Sequence, residues 1–248
     1  MSGHSKWSTI KRKKALVDAK KGKIFTKLAR EITIAAKEGG GDPDGNPRLR
    51  LALVQAKAAN MPKDNQERAI QKGTGELGDV TFEPFIYEGR GPSGSCFILT
   101  GDTDNRNRTV AEIRHMFSKH GGELSSNGAV SWMFDYKGVV EIDKERIGEE
   151  ALMERALGAG AEDIQDWDDT WGVLCEPSDF SGIEEEFRDL EPDADVRYLL
   201  KPENELSLEG DVAVQVAKFW ALLDEHDDVQ KTYANVSIPE DIMDEYGP

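Results

Sequence analysis

The hydrophobic pattern of this chain first changes between Gly73 and Thr81. Before that point, apolar residues recur at intervals of three and four, which is the period of an amphipathic helix. This apolar stripe comprises Phe25, Leu28, Ala29, Ile32, Ala35 and Ala36. After it, TFEPFIYE and SCFILTGD have the length and composition of strands and are separated by the glycine-rich GRGPSG. The sequence therefore predicts an α+β protein whose helices come first.

The helical part is predicted to contain three helices and to form a domain over residues 1–75. The first helix carries the apolar stripe and ends at the GGGD that follows Glu38. Asn46 and Pro47 have the pattern of an N-cap and a first-turn proline for the second helix. Asp64 and Glu67 resemble a capping box for a third helix, which ends near the glycine at position 73.

The strand-rich part contains a regular series between Lys137 and Pro202. Its strands and helices follow the order βαββαβ, which is the ferredoxin-like arrangement. We therefore predict a self-contained acidic domain over residues 136–205.

The segments on either side of that domain are predicted to belong together. Residues 79–135 read as two strands, a helix with a capping box at Thr109 and Glu112, and a further strand, GAVSWMF. Residues 206–240 add one helix and one strand, which cannot form a domain by themselves. The predicted fold class is α+β with three domains: a helical N-terminal domain, then two α/β (ferredoxin-like) domains, the third inserted into the second.

Charge is divided unevenly along the chain, whose formal net charge is −17. Residues 1–72 contain 17 Lys/Arg against 7 Asp/Glu, a net charge of +10, so the remainder carries −27. Such asymmetry favours a polyanion-binding end on an acidic body. We expect the acidic domains to face away from the polyanion or to recruit protein partners.

The predicted nucleic-acid contacts are mainly the basic residues of the N-terminal end. Lys and Arg neutralise phosphates and release counterions, and an aromatic ring such as that of Trp7 can stack on a base. Arg106 and Arg108 are placed just before a predicted helix N-terminus, where backbone N–H groups also hold phosphate. The alternative for these groups is a solvated charged face or a polar loop. The predicted set is His4, Lys6, Trp7, Lys11, Arg12, Lys13, Lys14, Lys20, Lys23, Lys27, Arg30, Arg106 and Arg108.

Other classes of site find little support. GRGPSG matches G-x-G-x-x-G but precedes a strand instead of the helix that a dinucleotide site requires. The four histidines are dispersed, and the two cysteines, Cys96 and Cys175, show no zinc or disulfide spacing. We therefore predict no catalytic residue, no metal and no cofactor. No apolar run is long enough for a membrane span, and no secretory signal is recognisable, so we expect a cytoplasmic protein that does not contact a membrane.

Several long motifs in order resemble the YebC/PmpR family, which includes the mitochondrial translational activator of cytochrome oxidase. They include GHSKWSTIKRKKALVDAKKGKIFTKLAREI, NMPKDNQERAIQKG, YEGRGPSG and DNRNRTVAEIRHMFSKHGGEL. The resemblance implies three domains, a bacterial cytoplasmic protein and nucleic-acid contacts in the first domain.

The resemblance leaves the target open. Some members resemble DNA-binding transcriptional regulators, whereas others resemble ribosome-associated factors that help translation through difficult sequences such as proline runs. The expected partner is accordingly DNA or ribosomal RNA, with the ribosome as an alternative partner. The protein itself is expected to be a monomer or a weak oligomer.

Overall fold

The computed structural model of the protein describes residues 22–78 and 81–248. They form two compact units. The first unit contains the described residues up to Asn127, together with Leu208–Ala234 and Ile238–Pro248. The second unit contains Gly128–Ser207 and Asn235–Ser237 and therefore interrupts the first along the chain. The predicted domain bounds, including the separation of a helical domain from a middle domain within the first unit, stay predictions.

Helices precede the first strand and then alternate with strands along the described chain. The helices are α1 (22–39), α2 (Pro47–Ala58), α3 (Lys63–Gly73), α4 (Arg106–Lys119), α5 (Glu149–Ala159), α6 (Phe180–Glu186), α7 (Gly210–Asp224) and α8 (Glu240–Tyr246). The strands are β1 (Glu83–Arg90), β2 (Cys96–Thr103), β3 (Glu123–Ser125), β4 (Phe134–Asp143), β5 (Asp163–Trp167), β6 (Thr170–Cys175), β7 (Asp193–Leu200), β8 (Leu206–Ser207), β9 (Val229–Ala234) and β10 (Val236–Ser237). The α+β class and the helical start are confirmed.

Helices α1, α2 and α3 share one core. Its buried members are mostly small, which lets the helix backbones approach closely: Ile32, Ala35, Ala36, Leu49, Ala52, Ala56, Met61 and Ala69. Phe25, Leu28 and Ala29 pack against this core, so the apolar stripe of α1 faces inward as predicted.

The two predicted helix starts in this segment have different outcomes. The Asn46 side chain accepts a hydrogen bond from the backbone N–H of Leu49 at 3.1 Å, which confirms it as the N-cap of α2. The capping box at Asp64 and Glu67 is wrong. Helix α3 begins at Lys63, directly after Pro62, ahead of Asp64 and without a side-chain cap, so Asp64 lies inside the helix.

The sheet of the first unit has the strand order β3-β1-β2-β9, with all neighbours antiparallel. Phe97 of β2 makes edge-to-face contacts with Phe117 of α4 and Phe219 of α7, at centroid distances of 6.3 and 5.3 Å. All three rings are fully buried, so they fix these two helices on one face of the sheet. The strands and helices of this first unit follow the order ββαβ…αβ, which differs from the βαββαβ order of a ferredoxin-like domain.

The start of α4 differs from its prediction. Asn105 is the N-cap, and its side chain accepts from the backbone N–H of Arg108 at 3.1 Å. Thr109 is therefore already inside the helix, and the capping box assigned to it is wrong. For the same reason Arg106 and Arg108 lie in the first turn of α4, not ahead of it.

The second unit has the ferredoxin-like element order, and its four-stranded sheet has the strand order β5-β6-β4-β7 with antiparallel neighbours throughout. Strands β8 and β10 form a separate parallel pair. The core of the unit lies between the four-stranded sheet and α5 and α6 and includes Val140, Leu152 and Phe187. The predicted strand GAVSWMF is wrong. Ser131–Met133 is a short 3-10 turn, and the strand ladder starts only at Phe134, which pairs with Leu200.

Within the described residues, no helix has the length and apolar character needed to span a bilayer.

Candidate nucleic-acid interface

The structure describes five of the predicted contact residues. Lys23, Lys27 and Arg30 lie on α1, and Arg106 and Arg108 lie on α4. The remaining members of the predicted set lie outside the described residues, namely His4, Lys6, Trp7, Lys11, Arg12, Lys13, Lys14 and Lys20.

Three basic residues of α1, Lys23, Lys27 and Arg30, contact acidic residues of the same unit. Lys23, Lys27 and Arg30 follow at i, i+4 and i+7, so they lie on one face of the helix. That face meets the acidic turn between α7 and β9, residues 224–228. Lys23 Nζ lies 2.7 Å from Glu225 Oε2, and Lys27 Nζ lies 3.1 Å from Asp224 Oδ2.

This contact corrects one expectation. A lysine on the basic face of α1 is expected to be exposed, but the Lys27 side chain is only 19% exposed. The acidic turn carries the carboxylates that pair with this face of α1, whereas the expectation that the acidic domains face away from a polyanion or recruit protein partners stays a prediction. Sequence could not show these ion pairs, because the paired residues are about 200 positions apart.

The third pair, between Arg30 and Asp228, is buried. Arg30 Nη2 lies 2.7 Å from Asp228 Oδ1, and the two side chains are 11% and 2% exposed. Arg30 Nη1 donates to the backbone carbonyls of Asp102 and Asp227 at 2.9 and 2.7 Å. The guanidinium is therefore held by one carboxylate and two carbonyls, which fixes α1 against β2 and the acidic turn.

Asp228 is the centre of a wider network. Its Oδ2 accepts from Thr109 Oγ1 at 2.5 Å and from Arg108 Nη2 at 2.8 Å. Burial alone would raise the pKa of Asp228, but the hydrogen bonds from Thr109 and Arg108, together with the charges of Arg30 and Arg108, hold that pKa below its ordinary value. Arg108 is thus bound to a carboxylate, as Lys23, Lys27 and Arg30 are.

Asp228, Glu112 and His226 bring potential metal ligands within 4.8 Å of one another. The geometry favours a hydrogen-bond cluster. His226 Nδ1 accepts from the backbone N–H of Asp228 at 3.1 Å, and its Nε2 lies 3.1 Å from Glu112 Oε2. The adjacent guanidinium groups of Arg30 and Arg108 oppose a further cation.

A groove of about 600 Å³ lies beside this network, between α1 and α3. We call it the α1–α3 groove. Residues of both helices line it, together with four residues outside them, Met61, Leu77, Phe82 and Asp104. The full lining is Gly22, Phe25, Thr26, Ala29, Arg30, Thr33, Met61, Asn65, Arg68, Ala69, Lys72, Leu77, Phe82 and Asp104. Arg68 and Lys72 are exposed, and neither forms an ion pair with any other described residue.

The match to known protein families covers almost the whole chain. Residues 5–76 match the TACO1/YebC protein N-terminal domain, and residues 82–236 match the TACO1/YebC second and third domain. The chain belongs to the TACO1/YebC family.

Individual relatives of this TACO1/YebC protein are similar over their full length. A "Probable transcriptional regulatory protein" of Desulforapulum autotrophicum is 50% identical, over 98% of this chain and 99% of the relative. One of the same name from Syntrophus aciditrophicus is 51% identical, over 98% of each. The crystal structure of a conserved hypothetical protein, Aq1575 of Aquifex aeolicus, superposes with a TM-score of 0.71 at 43% identity, covering 90% of this chain and 93% of that one.

Sequence reasoning missed Arg68, Lys72 and Phe82 in this family member. Asn65, Arg68 and Lys72 recur at i, i+3 and i+7, which places them on one face of α3. That spacing was available from the sequence. The position of Phe82 was not, because the ring lies 5.3 Å from Arg30 Cζ and 5.9 Å from Lys72 Nζ, and these distances depend on tertiary structure.

Proposed function

We propose that this protein is a non-enzymatic regulator that acts in the cytoplasm on transcription, by binding DNA through its helical N-terminal segment. The name shared by its relatives supports regulation of transcription. The charge division of the sequence supports a polyanion as the ligand, and the basic end supplies the contacts.

The single observation that carries the proposal is the cationic surface of α2 and α3. Lys57, Arg68 and Lys72 are exposed, and within the described part of the chain they have no carboxylate partner. Lys23, Lys27 and Arg30 form ion pairs with the acidic turn, so these three residues are less available to bind phosphates. Free cations attract phosphates, whereas paired ones must first release their carboxylates.

The sequence that precedes α1 supplies further basic residues. Residues 1–21 contain seven Lys/Arg and one acidic residue, and they join the described chain at Gly22, which lines the α1–α3 groove. In the proposal, Lys6, Lys11, Arg12, Lys13, Lys14 and Lys20 contact phosphates. Contacts of this kind position a protein on the nucleic-acid backbone and carry no direct sequence information.

Footprinting on random genomic DNA fragments tests regulation of transcription. Protected sites that recur among fragments are the expected result. Uniform weak protection would contradict a sequence-directed regulator, although it would leave general DNA binding intact.

The second candidate is a ribosome-associated translation factor that relieves stalling at sequences such as proline runs. The α1–α3 groove favours it, because a concave site beside free cations suits unpaired nucleotides of a structured RNA better than a regular duplex. Sedimentation of cell lysate through sucrose at low salt tests this function. Recovery of the protein in ribosomal fractions would support it, and recovery only at the top of the gradient would exclude it.

A further inference from the structure

We infer that the α1–α3 groove binds one unpaired nucleotide of the nucleic acid, with the base on the apolar floor and the phosphate on Arg68 and Lys72. The inference rests on the nucleic-acid binding that both candidate functions share, and it names the site that would distinguish an unpaired nucleotide from a regular duplex. A protein that only neutralises phosphates would need the cations but no cavity beside them.

The size and the floor of the groove suit a base. Its volume of about 600 Å³ lies within the range of small-molecule sites, which is roughly 300–1,000 Å³. Apolar side chains form much of the lining, among them Phe25, Met61 and Leu77. Phe25 is half-buried, so one end of the groove offers an aromatic ring of the kind on which unpaired bases stack.

The floor is held in place by direct contact between the two helices. Thr33 Oγ1 on α1 lies within hydrogen-bond distance of the Ala69 backbone carbonyl on α3, at 3.1 Å. Gly73 brings α3 still closer, because a Cβ atom at that position would lie 2.4 Å from the Thr33 carbonyl oxygen. A groove with such a fixed floor is largely formed before the ligand arrives.

The charges that line the groove select an anion. Arg68 and Lys72 are one helical turn apart and exposed, and among the described residues they have no carboxylate partner. Asp104 is the only acidic residue of the described lining, and it pairs with Arg108 at 3.0 Å. A phosphate at the rim would therefore meet two cations whose charge is not already neutralised.

One further group could read the base. Asn65 precedes Arg68 by three residues on the same face of α3, and its amide offers both a donor and acceptors. A nucleotide has an apolar ring, polar ring edges and a phosphate, so its groups match the floor, the amide and the cations in turn. An apolar peptide would leave both cations without a partner.

The test compares two hairpin RNAs that differ by one bulged adenosine, titrated with the full chain at fixed salt. We expect tighter binding of the bulged hairpin, by between about fivefold and about 150-fold, which is the range provided by stacking one base on an aromatic side chain. With 2-aminopurine at the bulge, fluorescence should fall on binding as the base stacks. The corresponding pair of DNA hairpins distinguishes RNA from DNA as the source of the nucleotide.

Two double variants assign the preference to the groove. Arg68→Ala with Lys72→Ala should reduce binding of the bulged hairpin to the level of the paired one. Lys57→Ala with Lys63→Ala removes the same charge from exposed positions outside the groove lining, and it should weaken both hairpins while keeping the preference. All four positions are exposed, and circular dichroism checks that both variants fold.

The outcomes separate the two proposals. Equal binding of the bulged and paired hairpins would overturn the groove inference and leave the proposed function standing. Binding of neither hairpin, in RNA or DNA, would overturn both. If the preference survives in the Arg68/Lys72 variant, or if free adenosine monophosphate binds as tightly as the bulged hairpin, the assignment of this groove to a nucleotide within a nucleic-acid chain is wrong.

Discussion

Arg30 and Asp228 form a buried ion pair that joins the basic helix to the acidic body, with 2.7 Å between Nη2 and Oδ1. The pair is one of three between α1 and the acidic turn, but it differs from the other two in environment. Lys23 and Glu225 are 42% and 45% exposed, whereas Asp228 is 2% exposed. Exposed pairs contribute about 0–1 kcal/mol, because solvent screens them. The Arg30–Asp228 contact therefore anchors α1, and the lysine contacts are weaker.

Asp228→Asn should destabilise the fold substantially. The asparagine amide cannot balance the charge of Arg30, so this buried guanidinium would lose its counter-ion, whereas the exposed Arg108 would keep Asp104. Removing one partner of a buried pair costs about 3–5 kcal/mol, and we expect a loss near the lower figure because asparagine keeps the shape and some hydrogen bonds. Urea unfolding measures the change. Asp227→Asn is the control, because the Asp227 side chain is exposed, and it should change the free energy of unfolding by less than about 0.5 kcal/mol.

The contribution of Asp228 to the free energy of unfolding should fall as the pH is lowered into the acidic range. Its pKa is lowered in the folded state, so its ionised form stabilises the fold above the unfolded pKa of about 3.9, and that stability is lost as the pH falls through the folded pKa. The difference in unfolding free energy between the wild type and Asp228→Asn should thus be constant from pH 7 to about pH 5 and should shrink below about pH 4. Urea titrations at pH 7, 5, 4 and 3 test this. A difference that stays constant down to pH 3 would show that Asp228 acts through shape instead of charge.

The acidic turn should compete with nucleic acid for the lysines of α1. Asp224→Asn with Glu225→Gln removes the carboxylates that hold Lys23 and Lys27, while the Arg30–Asp228 anchor remains. If the freed lysines contact phosphates, binding should tighten and the slope of log K against log salt should steepen by about 2, since each phosphate contact contributes about 0.9. Fluorescence anisotropy with a DNA duplex at several salt concentrations measures both quantities.

A matched control separates competition from net charge. Glu240→Gln with Asp241→Asn removes the same charge from exposed positions on α8. It should tighten binding only slightly and leave the salt slope unchanged. Equal effects of the two double variants would mean that overall charge, and not the acidic turn, sets the affinity.

Much of the fold followed from local sequence patterns. The apolar stripe of α1, the cap at Asn46 and each single element of the βαββαβ series are encoded by residues close together in the sequence. Periodicity and capping chemistry therefore reveal them. The errors at Asp64 and Thr109 arose because an earlier residue nearby, Pro62 or Asn105, begins the helix instead. In GAVSWMF, β-forming side chains suggested a strand, but the backbone turns at Ser131–Met133 before it enters the sheet.

The candidate site was less predictable than the fold. The sequence identifies which residues of α1 are basic, but not what lies opposite them. Lys27 and Asp224 meet only because α7 ends beside α1 in the folded chain, and no local pattern encodes that. The α1–α3 groove has the same origin, since it depends on how two helices and Phe82 are arranged in space.

Gly73→Ala should destabilise the contact between α1 and α3 that forms the floor of the groove. The added Cβ would lie 2.4 Å from the Thr33 carbonyl oxygen and 2.7 Å from the Ala36 Cβ, so the helices must separate. Overpacking of this kind costs about 1–3 kcal/mol, which outweighs the gain in helix propensity from alanine. Gly158→Ala is the control, because nothing lies within 4 Å of a Cβ added there on α5, and it should stabilise by about 0.5–1 kcal/mol. Thermal unfolding measures both variants. If Gly73→Ala proves as stabilising as Gly158→Ala, the close packing of α3 on Thr33 does not hold in solution, and the groove floor is not fixed in the way that nucleotide binding requires.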